Sequence, residues 1–468
     1  MKQKVGLRRN AATRQRLAIQ TTVHAEEKRL TILFEPASNF RTIILVRGVF
    51  MDRRYFLKTS GIGLASFGLM AAAPDFLHQF AAAQAKGSGG KRKVLVTIFQ
   101  RGAVDGLSMI VPHGEGEYYN LRRGTAIARP RQTDGALDLD GFFGLHPAMA
   151  SLQPFWSARQ LAVINSCGSP DNTRSHFDAQ DYMESGTPGV KSTRDGWLNR
   201  ALQATAGKAD SPFRAVAMTQ QLPRSLYGRS PSIAMTSLSD FSIKAGLYTA
   251  DLKGGFEGVY QQNVKDTLGE TGKETFEAVN FLKTANPSQF RPENGAQYPN
   301  SQLGRSLQQI AQLIKAGVGI EVAFAESGGW DTHVRQGGAR GQLANLLRDF
   351  ANSIAAFATD LGKRMDDVVV LTMSEFGRTA RENGSLGTDH GHGNAMLVLG
   401  NSVKGGKVFG EWKGLKTDQL NEGRDLAITT DFRTIFTEVA TKHLGSDRSE
   451  ALFPKFDPRA AGALGFLS

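Results

Sequence analysis

Three features are scarce in this sequence, and each scarcity excludes a class of protein. The 468 residues include one cysteine, Cys167, so the chain cannot form an internal disulfide, and cysteine usage does not report its redox compartment. Beyond residue 85, no apolar run approaches the ~20 residues that a membrane-spanning helix needs. We therefore expect a mature protein without a stable membrane span.

The third scarce feature is net charge in the main part of the chain, residues 86–468. The formal net charge is +12, but residues 1–50 carry +7 of it and residues 51–85 carry +1. Residues 86–468 therefore hold only +4, which is close to balanced. A nucleic-acid-binding surface would need positive charge concentrated there, so we expect no nucleic-acid partner.

The N-terminal region reads as two segments that precede the folded domain. Residues 1–50 show no convincing hydrophobic period, which predicts a disordered extension before a true translation start at Met51. After Met51 come the pair Arg53-Arg54, an uncharged stretch at 61–73 and the small-x-small pattern Ala83-Gln84-Ala85. This order is typical of a signal peptide over residues 51–85, and the arginine pair resembles a twin-arginine signal. We therefore expect export to the periplasm or beyond, with the twin-arginine machinery as a partner.

Buried strands and helices alternate along residues 86–468. Continuous apolar runs, the form of central parallel strands, predict strands at 94–99, 161–165, 320–325, 368–373 and 395–399. Helical patterns lie between them at 146–159, from 173 onward, at 301–316 and at 341–361. This rhythm predicts an α/β fold with a doubly wound, mainly parallel sheet. Residues 190–300 are less regular and are predicted to be an inserted cap region.

Polar side chains follow several of the predicted strands. In an open α/β sheet, ligands bind beyond the carboxyl ends of the strands, so these side chains should meet at one edge. The candidate metal ligands are Asp105, Asp331, His333, Glu375, Asp389, His390 and His392. Carboxylates mixed with imidazoles favour zinc, manganese or iron over calcium.

Most of these residues also have an ordinary structural explanation. Asp105 could be a turn residue. Glu375 and Arg378 could form a structural ion pair, or Arg378 could be a fork that binds an oxyanion. His176 could be a ligand, a base or a core residue, and the sequence leaves these alternatives open.

A hydroxyl at the start of a helix is the candidate nucleophile. Ser175 and Thr173 both lie where a helix is predicted to begin, and free backbone N–H groups there favour a nucleophilic oxygen or a bound anion. A plain helix cap is the alternative for either residue.

At these motifs the chain resembles domain of unknown function 1501, a family of bacterial exported proteins that is grouped with the sulfatase-like proteins of the alkaline phosphatase superfamily. The matching stretches are Arg101–Gly106, Ser169–Gly189, Gly329–His333, Ser374–Arg378 and Asp389–Gly393. The resemblance implies an α/β/α sandwich with metal ions at the strand ends and a Ser, Thr or modified Cys nucleophile.

Carried over by position, the resemblance also implies roles for single residues. Asp105 takes the place of a first-strand metal ligand, and Ser175 or Thr173 takes that of the nucleophile. Asp331 and His333 take the places of the carboxylate and histidine that bind the first metal. His390 or His392 takes that of a late histidine ligand. Where the superfamily usually has Asp-His, this chain has Glu375 followed by Phe376, so one imidazole ligand is missing.

Two functions follow as hypotheses. The first is an exported metal-dependent hydrolase of phosphate or sulfate esters, acting on a small-molecule or glycan ester. One or two divalent ions, zinc or manganese with calcium as a further option, would activate Ser175, while Arg378 or Arg174 would hold the ester oxygens. The second is a non-catalytic exported scaffold or assembly partner that binds metal on a degenerate hydrolase fold, which the Phe at 376 supports.

Overall fold

The computed structural model describes residues 43–46, 49–52, 92–205, 211, 213–238, 282 and 284–468. The chain divides into two compact units, Met1–Lys58 and Thr59–Ser468. In the first unit, strands β1 (Ile43–Val46) and β2 (Val49–Asp52) pair antiparallel. The rest of the predicted extension and signal peptide, and residues 206–210, 212, 239–281 and 283 of the predicted cap, lie outside the described residues.

The remaining strands of the described residues belong to the second unit. They are β3 (Val94–Gln100), β4 (Ile110–Val111), β5 (Leu137–Asp138), β6 (Gly144–Leu145), β7 (Leu161–Gly168), β8 (Ala215–Ala217), β9 (Ile233–Ala234), β10 (Val322–Ser327), β11 (Val368–Met373), β12 (Asn394–Leu399), β13 (Lys407–Phe409) and β14 (Thr430–Asp431). Strands β4, β6 and β5 form a small antiparallel sheet, and the other nine form the central sheet. The five strands predicted from apolar runs are all present.

The central sheet is mainly parallel. Its strand order is β13-β7-β12-β11-β3-β10-β8-β9, with β14 also paired to β7. Strand β12 runs antiparallel to both of its neighbours, β7 and β11, and every other pairing in this sheet is parallel. The sequence did not reveal this reversal, because a buried apolar run looks the same in either direction.

The α-helices of the described residues are mostly short. They are α1 (Gly106–Met109), α2 (Gly116–Leu121), α3 (Gln153–Ser157), α4 (His176–Ser185), α5 (Trp197–Gln203), α6 (Gln302–Lys315), α7 (Gln342–Leu361), α8 (Phe432–Glu438), α9 (Ser449–Leu452) and α10 (Pro458–Ala461). Segments of 3₁₀ helix lie at Pro147–Leu152, Arg224–Leu226, Pro287–Gln289, Gly362–Asp366 and Thr417–Gln419, and a π-helical segment lies at Val439–His443. The helix predicted at 146–159 is therefore a 3₁₀ turn followed by α3.

Helices cover both faces of the central sheet, because its strands are apolar on both sides. In β11, Val368 and Val370 join one core with apolar residues of α6 and α7. Val369 and Leu371 point the other way and join a second core with residues of α5 and α8. Alternate side chains of a strand face opposite sides of a sheet, so two cores require a helix layer on each face. The predicted α/β/α sandwich is confirmed.

The topology brings five loops to one edge of the sheet. Strands β3, β7, β10 and β11 end there, because they all run in the same direction. Strand β12 runs in the opposite direction, so the loop that precedes it, which includes residues 389–393, also lies at this edge. The antiparallel β12 therefore places a late part of the chain beside the ends of four earlier strands.

Candidate metal centre

Four side chains converge at this edge of the sheet. His176 lies at the first turn of α4, Asp331 and His333 follow β10, and His390 precedes β12. The Nε2 atom of His390 lies 3.0 Å from Nε2 of His176 and 3.0 Å from Nε2 of His333. Oδ1 of Asp331 lies 3.2 Å from His390 Nε2 and 2.9 Å from His333 Nε2. Acidic and imidazole groups that lie far apart in the sequence therefore meet in one place.

Each imidazole is held by a second partner on its other nitrogen. Nδ1 of His176 lies 2.8 Å from Oε1 of Glu375, and Nδ1 of His333 lies 2.9 Å from Oδ1 of Asp389. Nδ1 of His390 lies 2.9 Å from the backbone oxygen of Arg174. All three partners are acceptors, so each neutral ring carries its proton on Nδ1 and leaves Nε2 as a bare lone pair. This support by carboxylates and carbonyls is the arrangement that metal-ligating histidines have.

The spacing of the donor atoms fits a metal ion. His176 Nε2, His390 Nε2 and Asp331 Oδ1 are 3.0, 3.2 and 3.6 Å apart. A tetrahedral ion with nitrogen and oxygen ligands at about 2.0–2.1 Å separates its ligand atoms by about 3.3 Å. Three lone pairs and a carboxylate oxygen repel one another unless a cation lies between them, so His176, Asp331 and His390 could hold a divalent metal, with His333 as a further donor.

Glu375 is part of the support and does not face the donor cluster. Its side chain is fully buried, and Oε1 accepts hydrogen bonds from Gln180 and from the backbone N–H of Gly102, as well as from His176. Burial works to raise the pKa of Glu375, but the hydrogen bonds from His176 and Gln180 outweigh it, so the pKa is lowered. The ionised carboxylate in turn raises the pKa of His176 through their hydrogen bond.

Arg378 is buried in the scaffold of the centre. Its Nη2 donates to Asp331 Oδ1 at 2.6 Å, and its Nε and Nη1 donate to the backbone oxygens of Ala103 and Thr388. Nη1 also lies 3.4 Å from Nε2 of His333. Burial works to raise the pKa of Asp331, but the charge of Arg378 outweighs it, and the pKa is lowered. The guanidinium therefore orients a donor of the centre, and its N–H groups are already engaged.

Four of the predicted ligands lie outside the four-donor cluster. Glu375 and Asp389 each bind the Nδ1 atom of a clustered histidine, whereas Asp105 and His392 lie apart from the cluster. Both carboxylate oxygens of Asp105 are bound by the guanidinium of Arg122, at 2.5 and 2.9 Å, and the aspartate is fully buried. His392 lines a separate open groove of about 750 Å³ together with Trp412 and Asn421. Burial lowers the pKa of His392, and the nearby carboxylate of Asp425 opposes this shift.

The two candidate nucleophiles lie in the loop that leads to His176. Ser175 caps α4 by accepting a hydrogen bond from the N–H of Asp178, and Thr173 Oγ1 accepts one from the N–H of Ser175. In the sequence, Ser175 lies between Arg174 and His176. The backbone oxygen of Arg174 is the partner of His390 Nδ1. The Ser175 hydroxyl is therefore carried by the residue that directly precedes the donor His176.

His176 is a donor of the centre whose role the sequence left undecided. The useful signal was its position, since it follows a helix-capping serine after a buried strand that ends at the same edge as the others. Nothing in the local sequence shows that its Nε2 would meet that of a histidine 214 residues later.

The family comparison covers most of this unit. Residues 92–452 match the model of the family described as "Protein of unknown function (DUF1501)". The chain belongs to the DUF1501 family. No curated protein matches the chain in sequence. The described donors of the centre all lie within the matched DUF1501 region.

Several solved structures are distantly similar to this DUF1501 protein. One is the C-terminal periplasmic domain of EcEptC from Escherichia coli in complex with Zn, with 11% identity and a TM-score of 0.36, covering 79% of this chain and 88% of that one. A second is the PsFucS1 sulfatase from Pseudoalteromonas sp., with 10% identity and a TM-score of 0.36, covering 84% and 77%. A third is the lipoteichoic acid synthase LtaP from Listeria monocytogenes, with 9% identity and a TM-score of 0.29, covering 74% and 71%. At these scores the likeness carries no argument about activity, which has to come from the site.

In the part of the chain that the structure describes, no helix combines the length and the apolar character that crossing a membrane requires.

Proposed function

We propose that this DUF1501 protein is an exported metal-dependent hydrolase of phosphate or sulfate esters. The observation that carries the proposal is the convergence of three Nε2 lone pairs and one carboxylate oxygen, each supported from behind. Mixed imidazole and carboxylate donors favour zinc or manganese over calcium. Among the described residues one such cluster occurs, so we propose a single ion. A zinc or manganese ion there would supply Lewis acidity towards an ester oxygen.

Residues of the chain would bind the ion, orient its ligands and supply the nucleophile. His176, Asp331 and His390 bind the ion, with His333 beside them. Glu375, Asp389 and the carbonyl of Arg174 fix the three rings, and Arg378 fixes Asp331. Ser175 is the proposed nucleophile and Thr173 the alternative, because the N-terminus of α4 favours negative charge on an oxygen there.

The direct test is elemental analysis of the purified full-length chain, followed by assays with an aryl phosphate and an aryl sulfate. We expect about one zinc or manganese ion per chain, turnover of at least one ester, and loss of turnover on chelation. Ser175→Ala and Thr173→Ala distinguish the two nucleophile candidates by which of them loses turnover while keeping its metal. Protein that is free of metal and inactive on a broad ester panel would refute the proposal.

A second prediction concerns the support of His176. Glu375→Gln keeps the shape of the side chain but removes the charge that holds the Nδ1 proton. Because removing such a partner of a metal-bound histidine typically weakens metal binding by about 10–100-fold, we expect a loss in that range. Competition with a chelator of known affinity measures it. Glu422→Gln, on an exposed glutamate that pairs with Arg174, is the matched control and should leave metal affinity unchanged.

One observation favours the non-catalytic alternative. Phe376, at the position where the superfamily pattern implies an imidazole, packs its ring against His176 and His390, with centroids 4.9 and 5.1 Å away. An apolar ring there supports the histidines but cannot bind a second ion. If the purified protein holds its metal firmly yet turns over no ester, a metal-stabilised scaffold or assembly partner becomes the better description.

A further inference from the structure

Exposed apolar side chains are concentrated around the candidate metal centre. Among the described residues, four large hydrophobic side chains are strongly exposed: Phe177 at 90%, Val334 at 58%, Leu386 at 53% and Tyr227 at 44%. Phe177 directly follows the donor His176, and Val334 directly follows His333. Leu386 lies in the loop that leads to Asp389 and His390. We call Phe177, Val334 and Leu386 the apolar rim.

Two members of the apolar rim are held outward by ordered backbone. The N–H of Arg335 donates to the carbonyl of Ser385, and that of Gln336 donates to the carbonyl of Leu386, both at 2.9 Å. Arg335 and Leu386 have left-handed φ angles of 48° and 56°, which cost energy for residues with side chains. The exposure of Val334 and Leu386 is therefore imposed by a specific, strained connection rather than by a loose loop.

Positive charge accompanies the rim. Arg335 follows Val334, and Arg123 adjoins Gly124, whose missing side chain leaves room for Leu386: a Cβ there would lie 2.7 Å from Leu386 Cδ2. Arg381 lies five residues before Leu386. All three arginines are exposed and have no carboxylate partner among the described residues.

Two carboxylates of this region, those of Glu382 and Asp389, are already hydrogen-bonded. The carboxylate of Glu382 accepts hydrogen bonds from the backbone N–H groups of Gly124 and Thr125. That of Asp389 accepts from His333 and Asn383. The loop around Leu386 therefore presents an apolar side chain beside exposed arginines that form no direct ion pair among the described residues.

We propose that the apolar rim docks this protein on an anionic lipid surface, with the metal centre facing the lipid head groups. Separate apolar side chains that project between cations can insert among anionic head groups, where apolar burial and charge attraction act together. A dry protein interface fits less well, because it would bury the half-exposed carboxylates of Asp331 and Asp389. Where the proposed esterase function also holds, the substrate is an ester that the lipid surface presents; the docking itself does not depend on turnover.

A site-specific fluorescent label tests the docking. The chain has one cysteine, Cys167, which is fully buried, so an introduced surface cysteine can be labelled selectively. Phe177→Cys and Val334→Cys are each labelled with a polarity-sensitive dye and mixed with phosphatidylglycerol vesicles or with phosphatidylcholine vesicles. We expect a blue-shifted, brighter emission at both positions with the anionic vesicles and a much smaller change with the zwitterionic ones. An added Arg335→Ala substitution should weaken the affinity of each labelled variant for the anionic vesicles by about fivefold.

Tyr227→Cys is the matched control, because Tyr227 is the fourth exposed hydrophobic and does not adjoin a donor of the centre. Its label should not respond, and this excludes binding through residues 1–91, which all the variants share. An equal response at 227, or no response at 177 and 334 in protein of normal metal content, would overturn the docking proposal. Because the readout is label emission, its failure leaves the esterase test untouched, and an inactive protein can still show docking.

Discussion

His390→Ala is expected to empty the metal centre, lowering bound metal from about one ion per chain to near zero and abolishing ester turnover. His390 is the common neighbour in the cluster, with Nε2 3.0 Å from both other histidine nitrogens and 3.2 Å from Asp331 Oδ1. Removing a ligand should cost more than the about 10–100-fold that loss of a supporting group costs. Elemental analysis after dialysis measures the occupancy, and titration with zinc measures the affinity.

His392→Ala is the matched control for this experiment. It removes the same type of side chain two positions further along the chain, but from the groove lined by Trp412 and Asn421 rather than from the cluster. We expect this variant to retain its metal. Equal metal loss in both variants would point to a general disturbance of the loop, and full retention in His390→Ala would show that the cluster is not the metal centre.

The fold was more accessible to sequence reasoning than the roles of single residues. Runs such as Val368–Met373 are apolar at every position except Thr372, a pattern that a strand covered on both faces requires, and they predicted the sheet and its helix layers. Placing polar groups after these strands predicted that seven candidate ligands would meet, and three of them, Asp331, His333 and His390, lie together in the cluster. The direction of β12 was not encoded in its composition, yet it is this reversal that brings His390 to the shared edge.

Distinguishing donors from their supports requires distances that the sequence does not contain. Glu375 and Asp389 were predicted as ligands, and both have the chemistry for it. In the structure each instead binds the Nδ1 atom of a histidine whose Nε2 faces the cluster. Metal ligands and the groups that orient them are drawn from the same residue types. Only the position of a carboxylate relative to the histidine ring shows whether it binds the metal or supports the histidine.

Asp105 shows a different reason why the site was only partly predictable. Glycine-flanked and just past a strand, it has the local sequence of a ligand. Its partner, Arg122, lies 17 residues later, between the strand predicted at 94–99 and the helix predicted at 146–159, where no element was predicted. The pairing depends on how α1 and α2 fold over the edge of the sheet, which the apolar pattern of short elements cannot specify.

Arg122→Ala is expected to be strongly destabilising, lowering the free energy of unfolding by about 3–5 kcal/mol. Both residues of the pair are fully buried, and Arg122 also donates to the backbone oxygens of Thr379 and Ala380, directly after Arg378. Its loss would leave the carboxylate of Asp105 buried with only Ser108 and Gln336 as donors. Denaturant unfolding of the wild type and the variant measures the difference, and Arg340→Ala, in an exposed pair with Asp134, should cost less than about 1 kcal/mol.

The pH dependence of that difference identifies its cause. Burial works to raise the pKa of Asp105, but Arg122 outweighs it, so the folded-state pKa lies below the ordinary aspartate value of 3.8. The stabilisation from the ionised pair is therefore present above pH ~4 and is lost as the pH falls through the folded-state pKa. In Arg122→Ala, burial acts without this opposition, the pKa of Asp105 rises, and protonation relieves the buried charge as the pH falls. The gap in stability between wild type and variant should consequently be widest near neutral pH and narrow on acidification, whereas a gap that stays constant with pH would assign the loss to the backbone hydrogen bonds of Arg122 instead.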